Sequence, residues 1–385
     1  MEAAGGPADD GVTPVYLTAS NLAHYLIGRG LVTAESVVDG DFVVVEAGRR
    51  NRNFKLIRDD SPGLFVKQVS NASDLGSVAT LQREAAFYGL VRSRPAFASL
   101  ARIMPKLVDY DPSTCSLLVE LMTGGENLTE YHHRLDAFPE HVGEMIGRAL
   151  GAYHSQTGRL LSEPVDHAIF PRQIPWILTL DPATLHPLTQ FAAIGAVLVP
   201  ALQQHPVLLH CVLALRYEWQ FDSLIHGDMK WDNLLIKENG DAEPDFRIVD
   251  WELADLGDAS WDVGAIFTAY LVYWLLTAFP APAAGQQPSE QVKATAAAER
   301  LGRMQPALRV FWRTYAAARA LGAEAAAAYL VRCMRFCAAR LVLAAFEYLY
   351  GSPQMTPAVL TMLQVSQSIF LDPRKAAADL LGVQG

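Results

Sequence analysis

Between residues 226 and 252 the chain reads His226-Gly227-Asp228-Met229-Lys230-Trp231-Asp232-Asn233, then Leu234-Leu235-Ile236-Lys237, a polar turn, and Arg247-Ile248-Val249-Asp250-Trp251-Glu252. Two apolar runs, Leu234 to Ile236 and Phe246 to Val249, flank a segment whose Asn239-Gly240 pair and Pro244 demand a turn, so a β-hairpin is expected. Asp228 and Asn233 then lie on the loop entering the hairpin and Asp250 where its second strand runs out. Three oxygen ligands converge, which suits a hard cation such as Mg²⁺ held by a carboxylate or two, substrate phosphates and water.

The spacing is similar to the catalytic loop of protein kinases, His-Arg-Asp-x-x-x-x-Asn with a downstream Asp-Phe-Gly, with Gly227 where the arginine stands and Trp251-Glu252 after the second aspartate. His-Gly-Asp with the following Asn, then Asp-Trp-Glu, resembles the aminoglycoside phosphotransferase and choline kinase family. At ordinary residue frequencies the four fixed positions recur by accident on the order of once in a thousand such chains. The resemblance implies an α+β, two-lobed protein-kinase-like fold, with a small antiparallel-sheet N-lobe and a large, mainly helical C-lobe. It also implies ATP and Mg²⁺ as cofactors and a hydroxyl as acceptor. Gly257-Asp258-Ala259-Ser260-Trp261-Asp262 resembles a further family segment, whose last aspartate braces the catalytic loop from below.

On that pattern residues 1–40 form a tail and a flanking helix, residues 41–122 a nucleotide-binding N-lobe, and residues 123–385 a helical C-lobe with the catalytic loop and acceptor site. The flanking helix follows Thr18-Ala19-Ser20, with Leu22, Tyr25 and Leu26 at helical spacing. Phe42 to Val45, Phe54 to Ile57 and Leu64 to Val69 make a three-strand meander, and Ile103 to Tyr110 and Cys115 to Leu121 complete a sheet of about five strands. Its first turn corresponds to the glycine-rich flap over nucleotide phosphates, yet only Gly48 is present. Arg49, Arg50 or Arg52 could supply a bidentate fork to phosphate, or the turn is a solvated basic tip.

By the same resemblance Lys67 corresponds to the strand lysine that holds the α and β phosphates. A helix from about Asp74 to Val91 follows, and its Glu84 is placed to orient that lysine, with Glu46 the competing partner. The backbone at Glu120 and Met122, before the Gly124-Gly125 hinge, is expected to hold the adenine edge.

Because phosphoryl transfer passes through a loose transition state, the protein mainly positions groups and neutralises charge. Asp228 is then the base that accepts the acceptor's proton, Lys230 touches the moving phosphoryl group, and Asn233 and Asp250 hold Mg²⁺. His226 reads as a brace, while His132, His133 and His154, with no carboxylate partner identified, read as ordinary core or surface residues. Gly227 in place of arginine deprives the loop of the cation that couples it to a phosphorylated activation segment, so a constitutively assembled site is expected.

The formal net charge of -10 argues against nonspecific nucleic-acid binding, and 51% hydrophobic residues argue for a well-buried globular chain. Cys115, Cys211, Cys333 and Cys337 form no Cys-x-x-Cys pair and read as core thiols of a reducing compartment. The acidic start lacks a signal-peptide pattern, so a cytoplasmic protein is expected. Two uncharged stretches, Pro182 to Leu215 and Val263 to Pro288, are long enough to span a bilayer but read as buried helices, with no membrane partner. Ala281 to Pro288 has linker composition.

The acceptor stays open at this level: a small molecule bound near Asp255, Asp258 and Trp261, or Ser/Thr of a ribosomal precursor peptide, with a partner protein in that case. A non-catalytic nucleotide- or partner-binding relative is the third possibility.

Overall fold

This computed structural model describes residues 15–48, 51–58, 62–157, 168–181, 183–240, 242–277 and 289–384. The chain forms two compact units, one of residues 1–89 and 105–124, the other of residues 90–104 and 125–385. Residues 1–14, Arg49, Arg50 and the linker-like segment 281–288 lie outside the described residues.

In the first unit the Thr18 hydroxyl accepts the Asn21 amide and starts helix α1 (Ala19–Gly28), followed by a short α2 (Ala34–Val38). Strands β1 (Phe42–Glu46), β2 (Arg52–Arg58) and β3 (Gly63–Gln68) run antiparallel, with Phe54 opposite both Glu46 and Val66. Asp74 caps helix α3 (Leu75–Ser93) by accepting the Gly76 amide at 3.1 Å and the Ser77 hydroxyl at 2.6 Å. On α3 the expected apolar face, Leu81, Ala85, Tyr88 and Val91, is buried.

Strands β4 (Leu107–Asp111) and β5 (Ser116–Leu121) close a five-stranded sheet in the order β1-β2-β3-β5-β4. Strand alternation turns Phe54, Leu56, Leu64, Val66 and Leu118 to one face, where Leu17, Leu22, Leu26 and Val32 cover them. Each such leucine contributes about 1.5–3 kcal/mol by leaving water. The buried Gln68 side chain fixes the cover, accepting the Leu17 amide at 2.8 Å and donating to the Val15 and Thr114 carbonyls, both at 2.9 Å.

The second unit is mainly helical. It comprises α4 (Ala98–Ile103), a two-residue strand β6 (Glu126–Asn127), α5 (Leu128–Leu135), α6 (Glu140–Thr157), α7 (Ala192–Gln203) and α8 (Pro206–Glu218). After β7 (Ser223–Ile225) come the hairpin strands β8 (Leu234–Asn239) and β9 (Ala242–Ile248), then β10 (Asp255–Gly257). Five helices follow: α9 (Ala259–Thr277), α10 (Glu290–Ala318), α11 (Ala323–Gly351), α12 (Pro357–Leu371) and α13 (Pro373–Ala376). β6 extends the hairpin and β10 pairs with β7, so two small sheets frame the loop between β7 and β8.

Helix α9 is long and apolar enough to cross a membrane, but 72% of its apolar window is buried inside the molecule. The other uncharged stretch supplies α7 and α8, bent by 103° at the break between them. All four cysteines are free; Cys333 and Cys337 are buried where α11 crosses α9 at Gly264. Burial pushes the Cys337 thiol up to about 12.

Helices α6 and α10 meet along Gly143, Gly147 and Gly151, one helical turn apart on α6. A Cβ at Gly147 would stand 2.5 Å from the Phe311 carbonyl oxygen, and one at Gly151 the same distance from Ala318 Cβ. Backbone cannot retreat as a side chain can. Gly147→Val is therefore expected to destabilise the protein by about 1–3 kcal/mol or more, the usual range for overpacking. A urea titration of the variant against the parent measures it, and an unchanged midpoint would show that the helices can separate freely.

Candidate active site

The loop between β7 and β8 is tied from below by the Asp262 carboxylate, which is fully buried in the first turn of α9. Asp262 Oδ2 accepts the His226 amide at 2.7 Å and the Tyr153 hydroxyl at 2.7 Å, and Oδ1 accepts the Gly227 amide at 3.1 Å. His154 Nε2 lies 3.5 Å from Oδ2. Burial alone would raise the Asp262 pKa, but His154 and the surrounding donors outweigh it and hold the carboxyl below its usual range.

Gly227 sits at φ +82°, and a Cβ there would meet the Leu253 carbonyl oxygen at 2.6 Å, so no larger residue fits this turn. The arginine of the protein-kinase pattern is thus excluded by space.

From this tether the side chains alternate. His226, Met229, Trp231 and Asn233 are buried, while Asp228, Lys230 and Asp232 face outward. His226 Nε2 donates to the Val249 carbonyl at 2.9 Å and Nδ1 accepts the Asp228 amide at 3.3 Å, so the ring joins the loop to the end of β9. Trp231 packs among His132, Phe138, Tyr270 and Tyr273. Burial in that cluster lowers the His132 pKa to about 4.

Lys230 Nζ lies 2.6 Å from Asp228 Oδ2. Burial opposes the ammonium charge, yet Asp228 beside it raises the Lys230 pKa above its usual value. Asn233 Nδ2 donates to the Asp228 carbonyl at 2.9 Å, which turns its amide oxygen the other way. Val249 N donates to the Asn233 carbonyl at 2.9 Å, so the hairpin register brings Asp250 alongside Asn233. Asp250 itself adopts a left-handed conformation, φ +64° and ψ 59°. Aspartate is among the few side-chain-bearing residues that enter this region readily, so the chain can turn sharply out of β9 here. An amide oxygen and a carboxylate are the hard donors a divalent ion such as Mg²⁺ takes.

In the first unit Lys67 and Glu84 are both buried, and Lys67 Nζ donates to Glu84 Oε2 at 2.9 Å. Glu46, the competing partner, is exposed at the end of β1. Gly48 follows β1 in the first turn of the sheet, where Ala47 N donates to the Asn53 carbonyl at 2.8 Å. Arg49 lies outside the described residues. Arg52 is directed elsewhere, donating to the Leu17 carbonyl at 3.1 Å and lying 5.3 Å from the Tyr16 ring. Glu120 is the penultimate residue of β5, opposite Leu64, its amide donating to the Lys106 carbonyl at 2.9 Å, and Met122 follows the strand.

Three expectations need correction. His154 does have a carboxylate partner, Asp262, from a helix 108 residues later in sequence, and its Nδ1 lies 3.1 Å from the Tyr315 hydroxyl. Asp255 and Asp258, expected near the acceptor, are both buried and bonded within the fold. Asp255 accepts the Arg172 and Gln173 amides at 2.9 and 2.7 Å, and Asp258 pairs with Arg332 while accepting the Gln220 amide at 3.1 Å. Trp261 is buried as well, its indole donating to the Gly227 carbonyl at 2.9 Å.

Two residues from α11 were missed. Arg340 lies 4.0 Å from Asp228, a single charge inside the apolar run Phe336 to Phe346 and detectable on that ground. Glu347 is exposed to water, yet enough protein surrounds its carboxyl to raise its pKa; Arg340 opposes that rise and Asp228 adds to it.

Residues 41–287 match a model of the family described as "Phosphotransferase enzyme family". The sequence matches none of the curated proteins. Among solved structures, amicoumacin kinase hAmiN in complex with AMP-PNP, Ca²⁺ and Ami is 11% identical with a TM-score of 0.51, covering 90% of this chain and 95% of that one. Wild-type aminoglycoside 2'-phosphotransferase-IIIa in its GDP complex is 14% identical with a TM-score of 0.51, covering 91% and 99%. At such identities the likeness bears on fold alone, and the fold is protein-kinase-like.

Burial lowers the His154 pKa in the folded chain. Between that value and the unfolded value near 6.5 the unfolded chain binds more protons, so stability is full above about pH 6.5 and falls as pH drops below it. Thermal midpoints measured from pH 7.5 to 5 are expected to fall, and His154→Gln to flatten the slope. An equal slope in that variant would assign the effect to another group.

Proposed function

The chain belongs to the phosphotransferase enzyme family, as the match over residues 41–287 shows, and on that premise we propose an ATP- and Mg²⁺-dependent kinase. It moves the γ-phosphoryl group to a hydroxyl of a small molecule that also carries an amine. The observation that supports this best is the loop itself, whose Asp228 carboxylate is held outward with Lys230 at 2.6 Å and the Asn233 amide beside it.

Asp228 orients the acceptor hydroxyl and takes its proton as the phosphoryl group leaves ATP. Lys230 accompanies the charge of the transferring group. The Asn233 amide oxygen and the Asp250 carboxylate would hold Mg²⁺, whose charge would offset that of the phosphates. Lys67 binds phosphate oxygens, and Glu84 fixes its rotamer. The amicoumacin kinase is complexed with AMP-PNP and Ca²⁺ and the aminoglycoside phosphotransferase with GDP, which is consistent with a nucleotide donor and a divalent ion here. Glu347, on α11 within electrostatic reach of Asp228 and Lys230, is the carboxylate that supports an amine on the acceptor in this reading. Four free thiols are consistent with a reducing, cytoplasmic setting.

The test is transfer from γ-labelled ATP, with GTP in parallel, to a panel of amino sugars and amino alcohols in Mg²⁺. Asp228→Ala is expected to lower kcat by about 10²–10⁴-fold, the range general-base groups supply. Equal transfer by that variant would remove Asp228 from its role, and nucleotide binding without transfer to any acceptor would favour a non-catalytic relative. Glu347→Gln is expected to raise the acceptor KM about tenfold, or about 1.4 kcal/mol, with the ATP KM unchanged. An unchanged acceptor KM would withdraw the amine.

A further inference from the structure

Arg340 is nearly buried, 6% exposed, near the middle of α11 and 113 residues beyond the loop it touches. Its guanidinium donates through Nη1 to the Gly227 carbonyl at 3.2 Å and through Nη2 to the Met229 carbonyl at 3.4 Å. These two oxygens bracket Asp228. The group also lies 4.6 Å from the Trp261 ring centroid, and that indole donates to the same Gly227 carbonyl. Stacking and two bonds leave the planar fork little freedom.

Asp228 is consequently flanked by two cations: Arg340 Nη2 is 4.0 Å from Oδ1 and Lys230 Nζ is 2.6 Å from Oδ2. Lys230 is half-exposed on a flexible stem, whereas Arg340 is clamped. The loop has no arginine of its own because Gly227 leaves no room for a side chain. Its fixed cation therefore comes from a distant helix rather than from the loop or from a modified segment.

We propose that Arg340 is the positioning residue of this site: it clamps the carbonyls on either side of Asp228 and sets the direction of that carboxylate without touching substrate. This rests on the phosphotransferase function proposed above. α11 thereby becomes part of the machinery rather than packing, since a shift of about 1 Å in a positioned group can cost about 100-fold in rate.

The experiment compares the full-length parent with Arg340→Lys and Arg340→Met, each with and without Asp228→Asn, measuring phosphate release from Mg-ATP and transfer to the best acceptor of the panel. Arg340→Met is expected to lower kcat about 10–100-fold with the ATP KM within threefold. Arg340→Lys, which keeps the charge but not the two-point clamp, is expected to recover only part. In the Asp228→Asn background either change is expected to cost less than threefold, because a residue acting through Asp228 has nothing left to orient. Full kcat in Arg340→Lys would overturn the clamp, and additive losses in the double variants would overturn the route through Asp228. If Arg340→Met does not fold, the lysine variant and its double decide alone. A parent with no phosphotransfer would refute the proposed function instead, a result distinct from either.

Discussion

Everything outward-facing in the 226–233 loop depends on one buried carboxylate. Asp262 carries its charge into a site closed to water, which costs on the order of several kcal/mol before compensation. Compensation comes from two backbone amides of the loop, the Tyr153 hydroxyl and the nearby His154 ring. A carboxylate in that position cannot move without stranding its charge, so the amides of His226 and Gly227 are fixed in space. The direction of Asp228 follows from there through the turn at Gly227.

Helices that seem remote from the chemistry serve the same end. The α6 glycines let α10 approach until backbone meets backbone, and α6 carries Tyr153 and His154 to Asp262. Gly264 similarly admits α11 against α9, which brings Arg340 beneath Gly227 and Met229 and leaves Glu347 two turns further along. Close helix crossings are how a mainly apolar unit places a few polar atoms within tenths of an ångström. For a reaction governed by alignment and charge, that placement is most of what a protein can contribute.

Local patterns were legible where neighbours in sequence decide the structure. The turn residues between Leu234 and Val249 specify the hairpin, and the Val249 amide's bond to the Asn233 carbonyl brings the end of β9 to the loop. Strand alternation around Phe54 and Val66, the Thr18 cap and the apolar face of α3 follow from the same short-range rules. The pairing of Lys67 with Glu84 was open to Glu46 as well, and burial of both partners decides it. Asp255 and Asp258 misled for the opposite reason. An aspartate reads alike in sequence whether it faces a ligand or accepts backbone amides, and the partners here, Arg172, Gln173, Gln220 and Arg332, lie 38 or more residues away.

The amino-acid sequence by itself determined the hairpin and the strand and helix patterns, because periodicity and turn chemistry are local properties, while the resemblance of its motifs implied the class of fold. Only the tertiary structure decided which charges stand around Asp228. Arg340 and Glu347 reach it from a helix more than 100 residues further along the chain, through packing that no short-range pattern encodes.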